Sequence, residues 1–196
     1  MYRINEIFYS LQGEGFWTGT PMVFLRFSGC NLNCPFCDTD HAGFREMTAD
    51  DIVAEVSAAG GACGRVCVTG GEPGLQLDRE LVEALHAAGF KVHVETNGTR
   101  PLPDVDWVTL SPKEDVPGLK GDGTVVLERA DEVKVVYQGN VCEKWASFPA
   151  AWHFLQPCDT GDPAGNKTLL AETIDHIQRH PLWRLSLQTH KLTDIR

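Results

Sequence analysis

Three cysteines, Cys30, Cys34 and Cys37, are spaced C-x3-C-x2-C directly after an apolar segment at residues 22–27. An apolar segment of this length predicts a buried strand, so we expect the thiols on the loop that leaves its C-terminal end. Three thiolates leave one position open in a four-ligand site, whether the metal is zinc or the iron of an iron–sulfur cluster. An open position is where a metal binds and activates another molecule.

The cysteine spacing alone leaves two other interpretations open. The loop could be a structural zinc site, which needs a fourth ligand, and His41 is the only candidate nearby. The three cysteines could also be buried thiols that bind no metal, because buried cysteine is commonly a small apolar residue. The surrounding motifs must therefore decide between these interpretations.

Length and composition limit the fold and the classes of partner. The 196 residues predict one domain, residues 1–196, with a sizeable buried core. The net charge of −10 disfavours non-specific binding to nucleic acid or an anionic membrane, and favours a small-molecule substrate. Seven cysteines without a leading secretory segment predict reduced thiols in the cytoplasm, and no apolar segment approaches the ~20 residues of a membrane span.

Predicted strands alternate with helices and short glycine-bearing loops, which is typical of an α/β fold with a parallel sheet. Only three helices are well marked, at residues 48–58, 78–88 and 167–180, for about seven strands. A complete eight-fold barrel needs one helix per strand. We therefore predict an incomplete (partial) TIM-type barrel of about six to seven mostly parallel strands with few helices.

Polar motifs follow the C-terminal ends of the predicted strands, the edge at which parallel sheets and barrels bind ligands. They include Gly70-Gly71-Glu72-Pro73, Glu95-Thr96-Asn97-Gly98, and Ser111-Pro112-Lys113. Arg26 interrupts the apolar segment before the cysteines, and a buried charge is costly unless it is paired or faces a ligand. Both a partner carboxylate across the barrel and a ligand would explain Arg26.

The cysteine loop, with Phe36 before its third cysteine, and the motif at residues 70–73 together resemble the radical S-adenosylmethionine superfamily. The resemblance implies that Cys30, Cys34 and Cys37 hold a four-iron four-sulfur (4Fe-4S) cluster. It also implies that S-adenosylmethionine binds the fourth iron and is cleaved to a 5′-deoxyadenosyl radical, which takes a hydrogen atom from the substrate.

The density of motifs from residue 11 to the C-terminus is similar to one branch of this superfamily, which acts in queuosine biosynthesis. The motifs are Leu11-Gln12-Gly13-Glu14-Gly15, Cys37-Asp38-Thr39, Val68-Thr69-Gly70-Gly71-Glu72-Pro73, Glu95-Thr96-Asn97-Gly98, Ser111-Pro112-Lys113 and Leu187-Gln188-Thr189-His190-Lys191. The resemblance implies conversion of 6-carboxy-5,6,7,8-tetrahydropterin to 7-carboxy-7-deazaguanine with loss of ammonia, a lyase reaction. It also implies a homodimer and an external electron donor of the flavodoxin or ferredoxin type.

The same resemblance implies the residues of each binding site. Thr39 would place its hydroxyl on Mg²⁺, a cation that prefers oxygen ligands. The S-adenosylmethionine site would consist of Phe36, Cys37, Asp38, Gly71, Ser111, Pro112, Lys113, Gln156, Pro157, Cys158 and Asp159. The substrate site would consist of Leu11, Gln12, Gly13, Glu14, Arg26, Thr69, Glu95, His190 and Arg196, the last through its terminal carboxylate.

Two rival functions share part of this pattern. A radical activase that installs a glycyl radical on a partner protein could have the same cysteine loop, but it needs a protein-docking surface instead of a pterin pocket. Arg26, Thr39 and the Gln188-Thr189-His190 segment favour a small substrate. A ferredoxin-type electron carrier closes its cluster with four cysteines, so the three-cysteine loop counts against it.

Overall fold

A computed structural model describes residues 1–40, 43–141 and 143–195 of the chain. The strands are β1 (Tyr2–Leu11), β2 (Pro21–Phe27), β3 (Arg45–Met47), β4 (Arg65–Gly70), β5 (Lys91–Thr96), β6 (Trp107–Leu110), β7 (Glu132–Tyr137), β8 (Trp152–Pro157) and β9 (Arg184–Leu185). The helices are α1 (Ala49–Gly60), α2 (Arg79–Ala87), α3 (Pro163–Arg179) and α4 (Thr189–Thr193), with 3₁₀ turns at Pro73–Leu75 and Glu143–Trp145.

The strands form one sheet in the order β3-β1-β2-β4-β5-β6-β7-β8-β9. From β2 to β9 all neighbouring strands are parallel, whereas β1 is antiparallel to both β2 and β3. Across the described ranges, no pairing joins the edge strands β3 and β9 to each other. The predicted α/β class with an incomplete, mostly parallel barrel is thus confirmed.

The sheet curls so that the segment after β1 meets the segment after β9. The backbone N–H of Gly15 donates to the Ser186 hydroxyl at 2.9 Å, and the N–H of Thr189 donates to the Gly13 carbonyl at 3.0 Å. Two regions more than 170 residues apart in the chain therefore enclose the same space. This contact brings the glycine loop at residues 12–15 over the C-terminal edge of the parallel strands.

Helices α1 and α2 cover one part of the sheet and α3 covers another, with a separate apolar core under each. The Thr48 side chain caps α1 by accepting from the Asp51 N–H, as the sequence predicts. Gly89, after α2, has a φ of 91°, the left-handed conformation expected at a helix C-terminus. Within the described residues, no helix combines the length and apolar character of a membrane span.

Four elements differ from the sequence-based prediction. Strand β3 was not predicted, because its three residues are too few to show an alternating pattern. The sequence pattern at residues 182–187 predicts a final strand, but only β9 forms there, and the short helix α4 follows it. Helix α3 begins at Pro163 instead of residue 167, because the Asp162 side chain caps it and proline fits its first turn despite the following Gly165.

Candidate active site

The cysteine loop leaves the end of β2 and is held on two sides by backbone contacts. Asn33 and Lys120 exchange N–H to carbonyl hydrogen bonds of 2.9 and 3.3 Å, which attach the loop to the segment before β7. On the other side, the Gln76 side chain donates to the Ser28 carbonyl at 2.8 Å. The loop therefore has a defined position although it contains little regular structure.

All three thiols line one cavity at the C-terminal edge of the parallel strands, here called the thiol cavity. Ten of the eleven residues predicted for S-adenosylmethionine binding line it too: Phe36, Cys37, Asp38, Gly71, Ser111, Lys113, Gln156, Pro157, Cys158 and Asp159. Pro112 is buried and does not contribute to the cavity wall. The loops after β2, β4, β6 and β8 thus converge here, as the strand-end motifs predict.

The thiols of Cys30 and Cys34 ionise less readily than free cysteine, and a bound metal would favour their ionised form. Burial raises the pKa of Cys30 and Cys34, the neighbouring Cys37 raises both further, and the Lys113 cation opposes the rise. Bound metal supplies the positive charge that deprotonates such thiols. Among the described residues, no three His, Cys, Asp or Glu side chains converge on one ion position. A cluster binds each thiolate through a different iron, so its ligands need not converge on one point.

Gly70 and Gly71 allow the backbone after β4 to pass directly against the cysteine loop. A Cβ atom on Gly71 would lie 1.8 Å from the Gly29 carbonyl oxygen, and one on Gly70 would lie 2.2 Å from the Phe27 carbonyl oxygen. Glu72 next to them is fully buried and accepts from the Thr96 hydroxyl at 2.6 Å and the Asn97 N–H at 2.8 Å. The glycine motif is thus fixed to both the cysteine loop and the end of β5.

A second cavity, here called the carboxylate cavity, adjoins the first. Thr39 lines it, and so do eight of the nine residues predicted for the substrate: Leu11, Gln12, Gly13, Glu14, Arg26, Thr69, Glu95 and His190. The ninth, Arg196, lies outside the described residues. The two cavities share six wall residues: Glu14, Asp38, Thr69, Gly70, Glu95 and Gln188. Molecules bound in the two cavities would therefore be neighbours.

Lys134 lines the thiol cavity and pairs with two of the predicted substrate residues, both of which belong to the shared wall. Its Nζ donates to Glu14 Oε2 at 2.6 Å and to Glu95 Oε2 at 2.8 Å. Burial alone would raise the pKa of Glu14, but the charge and hydrogen bond of Lys134, with a hydrogen bond from Gln188, lower it to about 2. Burial raises the pKa of Glu95, and the nearby Glu14 carboxylate raises it further while Lys134 opposes the rise.

Glu132, two residues before Lys134 on β7, is a fully buried carboxyl group that lies near Glu14 and Glu95. It accepts from the Phe16 backbone N–H at 2.9 Å and is 1% exposed. Burial and the negative charge of Glu95 raise the pKa of Glu132 to about 7, against the opposing effect of Lys134. This residue supports the glycine loop, because a Cβ atom on Gly15 would lie 2.2 Å from its Oε1.

Arg26 has both of the environments that its place in β2 left open. Its Nε donates to Glu6 Oε1 on the adjacent strand β1 at 2.7 Å, and the side chain also lines the carboxylate cavity. The pairing partner is therefore next to Arg26 in the sheet, not across the barrel. The guanidinium is a half-buried cation, fixed at the cavity wall, that suits an anionic group on a ligand.

Several functional residues were not predicted as such. Lys134 carries the same signal as Arg26, a charge within an apolar strand, and could have been found by the same reasoning. Glu72 and Gln188 belong to motifs that the sequence predicts. The sequence does not indicate whether a motif residue acts through its side chain or through its backbone. His41, the alternative zinc ligand, and Cys142 lie outside the described residues.

Comparison with known proteins gives consistent results at the levels of domain, sequence and structure. Residues 25–114 match the model of the Radical SAM superfamily. A 7-carboxy-7-deazaguanine synthase from Bacteroides thetaiotaomicron is 55% identical over 197 residues, and the match covers 100% of both chains. A 7-carboxy-7-deazaguanine synthase from Burkholderia multivorans is 44% identical, with 99% of each chain covered.

A solved structure with 30% sequence identity has the same fold. The crystal structure of QueE from Escherichia coli superposes with a TM-score of 0.76 and covers 95% of this chain and 93% of its own. The superfamily that the cysteine loop and the glycine motif predict is therefore confirmed, and with it the requirement for a 4Fe-4S cluster and S-adenosylmethionine.

Proposed function

Because the chain belongs to the 7-carboxy-7-deazaguanine synthase family of radical S-adenosylmethionine enzymes, we propose that it converts 6-carboxy-5,6,7,8-tetrahydropterin to 7-carboxy-7-deazaguanine with loss of ammonia. The observation that carries the proposal is the shared wall of the thiol and carboxylate cavities. Hydrogen transfer between cofactor and substrate requires them to be neighbours, and two adjoining cavities of different chemistry meet that requirement.

We assign the thiol cavity to the cofactors. Cys30, Cys34 and Cys37 would hold the 4Fe-4S cluster. When bound, the cluster and S-adenosylmethionine supply a 5′-deoxyadenosyl radical, chemistry that amino-acid side chains do not provide. Gly71 lines this cavity, and its backbone would bind the methionine amino group. Lys113 donates to the Ser111 hydroxyl at 2.5 Å and to the Ser111 carbonyl at 2.7 Å, and both residues would bind polar groups of the cofactor.

We assign the carboxylate cavity to the pterin. The carboxylates of Glu14 and Glu95 suit the amino and ring N–H groups of the pterin, because an ionised carboxylate only accepts hydrogen bonds. Arg26 would bind the substrate carboxylate. Thr39 would bind Mg²⁺ through its hydroxyl, beside the substrate. These residues would hold the pterin beside the thiol cavity, because the two cavities share a wall.

The same family membership supports the remaining proposals about partners. An external donor must deliver the electron that starts the reaction, and we propose a protein of the flavodoxin or ferredoxin type. We also propose a homodimer and a cytoplasmic location, where the thiols stay reduced. Light scattering of the reconstituted protein tests the homodimer, because a monomer would have about half the mass.

The reaction is tested by an anaerobic assay of the reconstituted protein with S-adenosylmethionine, dithionite and 6-carboxy-5,6,7,8-tetrahydropterin. Mass spectrometry should detect 7-carboxy-7-deazaguanine, and Cys34→Ala should abolish it because the cluster loses a ligand. Cys63→Ala is the matched control, since Cys63 is a free cysteine outside both cavities. Cleavage of S-adenosylmethionine with the pterin unchanged would refute the substrate assignment and favour the glycyl-radical activase.

A further inference from the structure

Lys134 is a buried cation in the middle of a buried strand. The residue is 4% exposed, and its neighbours on β7, Val133 and Val135, belong to the apolar core. Removing an ammonium group from water costs several kcal/mol, which is recovered only if charged partners with good geometry replace the water. The 2.6 and 2.8 Å contacts to Glu14 and Glu95 are those partners.

The hydrogen bonds around the two carboxylates follow a regular pattern. Lys134 donates to Oε2 of both Glu14 and Glu95. Gln188 Nε2 donates to Glu14 Oε1 at 3.0 Å, and Gln12 Nε2 donates to Glu95 Oε1 at 3.0 Å. Each of the four oxygens thus has one protein donor. A carboxylate oxygen accepts two hydrogen bonds, so each retains capacity for a donor on a ligand.

We propose that Lys134 is a positioning residue that fixes Glu14 and Glu95 as a pair of acceptors for the amino and ring N–H groups of the pterin. The proposal deepens the proposed function and rests on it. Lys134 lines the thiol cavity but not the carboxylate cavity, whereas Glu14 and Glu95 line both. It therefore acts on the substrate through the carboxylates and is not itself a catalytic residue.

Electrostatics explain why the pair requires a cation. Without Lys134, two ionised carboxylates would share one buried region with Glu132, and at least one would take up a proton. A protonated carboxyl group presents a donor where the pterin needs an acceptor. Burial raises the pKa of Glu95 even with Lys134 present, which makes Glu95 the first to be affected. Among the described residues, the other titratable or charged groups facing this region are Glu132, Lys113, His190, Cys67 and Arg26.

The test compares the reconstituted wild-type enzyme with Lys134→Met, which keeps the length of the side chain and removes its charge. The KM for 6-carboxy-5,6,7,8-tetrahydropterin should rise about 100-fold, the scale expected when one partner of a buried ion pair is removed. The KM for S-adenosylmethionine should change less than about 3-fold, and the iron content should not change. Lys91→Met is the matched control, because it removes an exposed lysine that is paired with Asp106.

A pH profile separates positioning from simple support of the fold. In Lys134→Met, kcat/KM for the pterin should rise with pH between about 6 and 8 as the carboxylates ionise, whereas the wild-type profile should lack this rise. Lys134→Gln keeps donors without the charge and takes the place of the methionine variant if that variant does not fold. Unchanged pterin KM in a folded variant, or equal increases for both substrates, would overturn the proposal. Absence of product with the wild type would refute the proposed function instead.

Discussion

The Asn97 side-chain amide donates to the Asn31 side-chain oxygen at 3.3 Å, and this hydrogen bond connects the end of β5 to the cysteine loop. Thr99 completes the contact, because its hydroxyl accepts from Asn31 at 2.8 Å and donates to Asn97 at 2.7 Å. The backbone N–H of Asn97 is held by the buried Glu72. The position of the cysteines thus depends on residues in a different strand and in the glycine motif.

Asn97→Ala should loosen the cysteine loop without unfolding the protein. The change removes a side chain whose hydrogen bonds each contribute about 1 kcal/mol, a fraction of the stability of a domain. The three hydrogen bonds together amount to about 3 kcal/mol, so we expect the melting temperature to fall by roughly 6–12 °C, with faster loss of iron to a chelator at temperatures where the protein stays folded. Asn140→Ala, at an exposed position in the loop after β7 that does not line the thiol cavity, should lose iron at the wild-type rate. Equal iron loss in the two variants would contradict the connection.

The elements that place these residues were largely predictable, because strong local signals mark them. All six of the longer parallel strands, β2 and β4 to β8, follow from short apolar segments in the sequence, and Thr48 and Gly89 follow from capping chemistry. The antiparallel direction of β1 relative to β2 was not predicted. It depends on a pairing between strands that no local pattern encodes.

Gly71→Ala should be severely destabilising, because the new Cβ atom would overlap the Gly29 carbonyl at 1.8 Å and neither backbone can move alone. We expect a loss of at least about 2 kcal/mol of stability, with loss of S-adenosylmethionine binding. Thermal unfolding and equilibrium dialysis with S-adenosylmethionine measure the two effects. Gly64→Ala is the control, since its Cβ atom would lie 3.9 Å from the nearest atom, the Gly89 carbonyl oxygen. A stable Gly71→Ala protein would show that the close approach is not needed.

Thr39→Ala should lower turnover and weaken the response to added Mg²⁺, because the variant lacks the hydroxyl oxygen that we assign to the cation. The cluster content should stay normal, since Thr39 lines the carboxylate cavity and not the thiol cavity. Activity is measured across a magnesium titration after removal of metal with a chelator. Thr18→Ala, in the loop between β1 and β2, should respond to Mg²⁺ as the wild type does. A wild-type magnesium response in Thr39→Ala would exclude the assigned role.

Glu132 should make the stability of the protein fall as the pH rises from about 4.5 to about 7. Its pKa is raised from 4.5 to about 7, so between these values the folded protein binds a proton that the unfolded chain releases. A pKa shift of this size corresponds to roughly 3 kcal/mol of unfolding free energy, which is lost as the pH rises to 7. Other ionisable groups contribute to the measured profile, so the effect is read from a difference between two proteins.

The matching variant is Glu132→Gln, which keeps an oxygen to accept from the Phe16 N–H and cannot ionise. Relative to wild type it should gain stability at pH 8 and differ little at pH 5. Chemical unfolding at the two pH values measures the difference. A variant with the same stability difference at both pH values would show that Glu132 does not titrate in this range.

The chemistry of the site was less predictable than the fold, for a physical reason. Spacing and strand-end placement indicated the thiols and the glycine motif, since these act through local geometry. The links between Lys134 and Glu14, 120 residues apart, and between Gln188 and Glu14, 174 residues apart, arise only when the sheet curls. A single sequence contains the charged residue but not the distance to its partner.

Lys191 joins the two sides of the thiol cavity, because its ammonium group lies 2.8 Å from Asp159 Oδ2 and 3.0 Å from Asp38 Oδ2. The hydrogen bond from Lys191 lowers the pKa of Asp159, with further hydrogen bonds from Gly161 and Asn166. These groups are partly exposed, and exposed ion pairs contribute about 0.2–1 kcal/mol each.

Lys191→Met should therefore raise the KM for S-adenosylmethionine only about 2- to 5-fold. The difference from wild type should shrink at 1 M salt, where surface charges are screened. Lys167→Met, at an exposed position on α3, should leave the KM for S-adenosylmethionine unchanged. If the effect of Lys191→Met does not depend on salt, Lys191 acts through packing instead of charge.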